Sequence, residues 1–211
     1  MSVLRRPFQY TFTNTTLTLI VINVAVFFLM AFTPLNRYYG YLALTVRGFV
    51  DFHCFWQPLT YMFLHSGISH LFFNMIALLF FGIAVEKAVG SKEFLLLYLL
   101  TGTLCGILSL AVYFLGGVRV ALVGASGAIY GILLAYAIIF PRSRIFIWGL
   151  VPVPAPILVL AYALIALADQ FYGATSIAHL THLAGFAVAW LYFRIRMGIH
   201  PLEVWKDAYR F

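Results

Sequence analysis

Polar side chains are scarce along this chain, and a few of them could do chemistry together: His65, His70, Asn74, Ser126, Tyr130, His179 and His182. A serine hydroxyl is a poor nucleophile until a base takes its proton, and a neutral imidazole is suited to that near pH 7. Ser126 sits in Gly124-Ala125-Ser126-Gly127, at the start of an apolar helical run. Free N–H groups and the positive dipole end of a helix start stabilise an oxyanion. His70 and Asn74 are four residues apart, so they share a helix face and can donate hydrogen bonds to the same anion. Ser126 and Tyr130 share a face by the same spacing, and His179 and His182 are i,i+3. A nucleophile (Ser126), a base (His182) and an electrostatic pocket (His70, Asn74 and the backbone at Ser126) are the parts that acyl transfer requires.

A third catalytic member is not evident. Asp169 could orient a histidine, but it also stands where an apolar run would leave a membrane. A Ser126–His182 dyad is the leaner arrangement, with Tyr130 packing under the imidazole. Each residue taken singly has a plainer role: a helix-to-helix hydrogen bond, a packing residue or a proton relay. Their convergence at one depth on three separate runs favours chemistry.

The elements that must position them follow from composition. Of 211 residues, 64% are hydrophobic and 9% charged, against roughly 25% charge in a soluble domain. The bilayer is therefore the expected solvent. Six apolar runs are bounded by charge, Gly or Pro: about 16–33, 58–85, 94–115, 126–140, 155–171 and 177–193. They predict an all-α integral membrane fold of six spans, one domain over residues 1–211. The first run lacks a small-residue cleavage site and is expected to be retained. The net charge of +7 lies at the ends of the runs, a pattern of membrane orientation rather than nucleic-acid binding. With the N-terminus inside, the inner segments hold ten basic residues: Arg5, Arg6, Lys87, Lys92, Arg142, Arg144, Arg194, Arg196, Lys206 and Arg210. The outer segments hold Arg37, Arg47 and Arg119. Both termini are thus expected in the cytoplasm. Cys54 and Cys105 lie too far apart in this topology for a disulfide and cannot supply a Cys-rich zinc site.

The fourth run is short. Fifteen residues reach only ~22 Å against a hydrocarbon core of ~30 Å. Its inner end is fixed by Pro141-Arg142-Ser143-Arg144, so its outer end stops below the surface. The loop 117–125 should dip inward and hold Ser126 at the floor of a wet cavity. Gly127 and Gly131, with Gly185 and Ala189, allow the fourth and sixth spans to approach closely. The loop 34–57 carries Tyr38, Tyr39, Tyr41, Phe49, Phe52, Phe55 and Trp56. It suits the interface between headgroups and lipid tails, or an ordinary surface loop with aromatic anchors.

At these residues the chain resembles the rhomboid intramembrane proteases. Gly124-Ala125-Ser126-Gly127 is similar to the family's G-x-S-G motif, and His70-Leu71-Phe72-Phe73-Asn74 to its H-x-x-x-N element. His182-Leu183-Ala184-Gly185 resembles the histidine-bearing stretch of its last core helix. Tyr130 fits its aromatic beside the catalytic histidine, and Glu86 its acid at the inner end of the second helix. The resemblance covers nearly the whole chain. It implies that Ser126 attacks the scissile bond, that His182 acts as base and then acid, and that Ser126 N–H, His70 and Asn74 form the oxyanion hole. It implies no cofactor and no metal. The substrate would be a single-span membrane protein that unwinds near its outer end, and the setting the cell membrane of a bacterium. Two departures stand: Ala189 replaces the second glycine of the last helix's G-x-x-x-G, and Trp56-Gln57 is the nearest match to a Trp-Arg pair in the first loop. The chain resembles the basic six-helix form, without a seventh span or soluble domains.

Two alternatives remain. One is an inactive rhomboid-like protein that binds membrane clients, against which the presence of both Ser126 and His182 counts. The other is a transporter or proton channel relaying through the histidines, against which the lack of internal repeats counts. A haem or metal site at His179 and His182 lacks a supporting carboxylate or cysteine. His65 and His179 are expected to tune the site.

Overall fold

The computed structural model describes residues 7–147, 149–172 and 177–210, of which residues 166, 169–172, 177 and 178 are described in backbone only. The apolar runs form helices: α1 (Thr15–Phe32), α2 (Ile68–Val89), α3 (Ser91–Leu115), α4 (Ser126–Ile139), α5 (Ala155–Tyr172) and α6 (Ile177–Ile195), followed by the short α7 (Pro201–Ala208). Among the described residues, α1, α2 and α3 are long and apolar enough to cross a membrane. The outside of the bundle is apolar, with Phe32, Phe73, Phe80, Leu115 and Leu164 among its most exposed side chains. Water would not tolerate that surface, and lipid does. The protein is a multi-pass integral membrane protein.

α4 occupies the middle, packed against α2, α3, α5 and α6. A helix apolar all round is a buried helix, and Ala128, Ile132, Leu134, Ala135 and Ala137 of α4 are all buried. Its 14 residues span only ~21 Å.

Two carboxylates tie the helices together at the end of the bundle remote from Ser126. Glu86, fully buried, accepts hydrogen bonds from Thr15 N at 2.6 Å, Thr16 N at 2.8 Å, Thr16 Oγ1 at 2.7 Å and Ser91 Oγ at 2.5 Å. It supplies from α2 the cap that Asn14, in the left-handed region with φ 55° and no side-chain bond, does not give α1. Those N–H groups would otherwise be orphaned. Glu93 of α3 likewise accepts from Phe8 N, Tyr192 Oη and the Arg196 guanidinium. Arg5 and Arg6 of the orientation argument lie outside the described residues.

Two expectations shift, and a third gains detail. The second run does not form one helix from residue 58. Its first part is a helical turn (Gln57–Thr60), a 3-10 turn (Tyr61–Phe63) and an extended segment up to Gly67. Ser66-Gly67 interrupts the run with residues of weak helical propensity. Small antiparallel sheets also join the helices: β1 (Leu44–Thr45) pairs with β2 (Ala121–Leu122), and β3 (Arg144–Ile147) with β4 (Val151–Pro154). The β-rich stretch Ile145-Phe146-Ile147 and Gly149 at φ +70° favour that hairpin. Pro152 and Pro154, which bound the fifth run on its N-terminal side, lie in β4. The loop 34–57 keeps its aromatics Tyr38, Tyr41, Phe52, Phe55 and Trp56 exposed and gains short helices of its own. Buried Gln57 accepts from Thr45 N at 3.1 Å and donates to Gly40 O at 3.2 Å, and Trp56 Nε1 donates to Tyr41 O at 2.7 Å.

Candidate active site

Ser126 is the first residue of α4 and His182 lies in the second turn of α6. His182 Nε2 and Ser126 Oγ are 3.0 Å apart, within hydrogen-bond reach. The Tyr130 ring lies flat on the imidazole, centroids 4.0 Å apart and planes 5° off parallel. Phe186, one turn beyond His182, meets the Tyr130 ring edge-on at 5.1 Å. The i,i+4 spacings on both helices put these rings side by side.

Small residues make the approach possible. A Cβ on Gly185 would run into the carbonyl oxygen of Gly127, so α6 and α4 cross backbone to backbone beside the Ser–His pair. Gly131 does not face α6. A Cβ there would sit 2.5 Å from Thr101 Cγ2 of α3. A Cβ at Gly127 would likewise meet Cys105 Sγ of α3 first, with Thr181 Cγ2 of α6 next, so the G-x-x-x-G stripe faces α3 and its Gly127 end meets α6 as well.

The loop that delivers Ser126 is pinned. β2 is held by β1, and Gly124 N donates to Tyr61 O at 2.9 Å. Gly124 has φ +115°, a conformation glycine alone adopts easily. A Cβ there would also lie 2.7 Å from His70 Nε2. His70 therefore turns its Nε2 edge towards Gly124 while its Nδ1 meets Ser66 Oγ at 3.1 Å. Asn74, buried, donates Nδ2 to His70 O at 3.0 Å. His70, Asn74, Ser126, Tyr130 and His182 all line one cavity of about 970 Å³.

His65 and His179 are not among the residues lining it. His65 is buried, its ring 5.1 Å from that of His70, and the His179 ring is 6.1 Å from His182. The Asp169 side chain lies outside the described residues. Among the described residues no group of His, Cys, Asp or Glu could hold a metal ion.

Sequence reasoning passed over two polar contacts beside the pair. Thr181, next to His182 and buried, meets Ser109 Oγ of α3 at 2.8 Å. Tyr61, whose hydroxyl donates to Gly102 O at 2.8 Å, was also missed. Both are polar groups within apolar runs, the signal that singled out Ser126. The arrangement as a whole couples a hydroxyl to an imidazole at a helix start beside two further donors, which suits acyl transfer.

The sequence matches the Rhomboid domain family over residues 53–198. It is 33% identical over 137 residues to RHOMBOID-like protein 4 of Arabidopsis thaliana, covering 64% of this chain and 32% of that protein. To Rhomboid protease GluP of Bacillus subtilis (strain 168) it is 44% identical over 89 residues, 42% of this chain and 17% of that one. To Rhomboid-related protein 3 of Homo sapiens it is 29% identical over 116 residues, 55% and 27% respectively. The matches span about a third or less of the length of these relatives.

Proposed function

The chain belongs to the rhomboid family, and on that footing we propose that it is an intramembrane serine endopeptidase working through a Ser126–His182 dyad. The observation that carries this reading is the 3.0 Å contact between Ser126 Oγ and His182 Nε2 in the wall of a cavity. Ser126 Oγ attacks the scissile carbonyl carbon while His182 Nε2 takes its proton. The resulting oxyanion faces Ser126 N–H at the start of α4, His70 Nε2–H and Asn74 Nδ2–H. Collapse breaks the C–N bond, and the imidazolium gives its proton to the leaving amine. Water then attacks the acyl-enzyme with His182 again as base. Gly124 keeps the loop close under His70, and the Tyr130 ring holds the imidazole plane. This route uses side chains and backbone alone, without cofactor or metal.

The substrates are single-span membrane proteins, cut in or near the transmembrane segment where small or helix-breaking residues let it unwind. Residues 1–211 act as one rhomboid domain of six spans, with α4 as the short central one. Both termini face the cytoplasm, and the cavity opens towards the outer face of a bacterial cell membrane. Ten basic residues on one side against three on the other support that orientation.

The test is cleavage of a labelled single-span protein in proteoliposomes. Wild type is expected to cut it, and Ser126→Ala to lose at least ~10⁴-fold in rate. Equal cleavage by both proteins overturns the proposal.

A further inference from the structure

The cavity that holds the Ser–His pair is much longer than the pair requires. It follows α4 past Leu133 to Tyr136 and ends on Ile145, Phe146 and Ile147 of β3. Ser126 and Tyr136 are ten positions apart on one helix, so the cavity reaches ~15 Å from the hydroxyl before it meets the hairpin. Its walls between those ends are apolar, with Phe80 and Phe81 on one side and Leu158 on the other. Phe146 stands 60% exposed although it lines a cavity, which makes it a surface offered to an occupant.

The hairpin is built to present β3 and not β4. Ala155 N donates to Ser143 O at 3.0 Å, closing the base of the ladder. In an antiparallel pair the directly bonded partners recur every second residue, so 145↔153 and 147↔151 are the bonded pairs of the observed register. Pro152 and Pro154, which lack an N–H, then fall at the pairs where no donor is needed. The hairpin is stiffened by its prolines, and the cavity receives residues of β3 alone.

We infer that the β3 hairpin is a second recognition site for the substrate. Phe146 grips the apolar half of the transmembrane segment that lies beyond the scissile bond, with Ile145 and Ile147 turned to the other face of the strand. The inference rests on the proposed protease reading, because the occupant is chosen by continuity: a chain whose carbonyl reaches Ser126 and continues along the same cavity must meet the hairpin. A helical segment covers the ~15 Å in about ten residues, so the contact falls near the tenth residue after the cut. It sets affinity for long apolar segments and takes no part in bond breaking.

The experiment uses two substrates in proteoliposomes: a full single-span protein, and a peptide with the same cut site that ends about four residues beyond it. Phe146→Ala is expected to raise KM for the full segment about tenfold, leaving kcat and all constants for the short peptide unchanged. A benzophenone side chain at position 146, in the Ser126→Ala background, is expected to cross-link the full substrate roughly ten residues after the cut. If Phe146→Ala depresses both substrates equally, the hairpin acts through the fold and the inference fails. Unchanged kinetics with cross-linking to lipid alone overturns it too, assigning the far end of the cavity to an acyl chain. Failure of wild type to cut either substrate would instead remove the protease reading itself.

Discussion

The imidazole of His182 can serve Ser126 only while its ring plane is held, and the Tyr130 ring lies against that plane at 4.0 Å. Aromatic contacts of this kind contribute about 0.5–1.5 kcal/mol. Tyr130→Phe is therefore expected to keep kcat within about twofold of wild type, and Tyr130→Ala to lower it up to about tenfold, measured on a labelled membrane substrate. Ser126→Ala combined with His182→Ala is expected to be no slower than Ser126→Ala alone, because residues that act as a unit are not additive. At this scale much was legible. Ser126, His70, Asn74 and His182 stand out because a polar group in an apolar run needs a reason. The partner of each was less legible. That Asn74 donates to His70 O, or that Thr181 meets Ser109, depends on rotation about helix axes that spacing alone leaves open.

The pairing of α4 with α6 depends on two glycines having no side chain. A Cβ at Gly185 would overlap the Gly127 carbonyl, so Gly185→Val must push the helices apart and draw His182 away from Ser126. Overpacking costs about 1–3 kcal/mol, and a rise of 1 Å in a 3.0 Å contact is enough to cost ~100-fold in rate. Loss of cleavage with a lowered melting temperature in detergent is the expected result. Gly67→Ala is the matched control: a Cβ there meets nothing within 4 Å and the backbone is extended at φ −177°. It should melt and cleave like wild type. The start of α2 shows why boundaries were less legible than helices. The run 58–67 mixes apolar residues with Thr60, His65, Ser66 and Gly67, which hydropathy averages into the span, but the chain there turns to bring Tyr61 under the Gly124 loop. That is a tertiary demand.

Across the whole molecule, the far ends of α3 and α6 are joined to the N-terminal segment through Glu93. The carboxylate is 1% exposed and bound by Arg196, Tyr192 and Phe8 N, and the Phe8 ring also lies under the Arg196 guanidinium at 4.8 Å. Removing one partner of a buried ion pair costs about 3–5 kcal/mol, because the other charge is left uncompensated. Arg196→Ala is therefore expected to unfold at clearly lower temperature than wild type, followed by thermal denaturation in detergent. Glu93→Gln, which removes the charge but keeps the shape, should lose less.

The sequence by itself determined the solvent, the helical character and which polar residues had to be explained, because hydropathy and spacing are local quantities that every residue carries with it. Only the tertiary structure decided that Tyr130 lies flat on His182, that Gly127 and Gly131 both face α3 while α6 reaches Gly127 as well, and that 144–147 and 151–154 pair as a hairpin lining the far end of the cavity. Those outcomes depend on how helices rotate and cross, and crossing is settled by contacts between residues far apart along the chain.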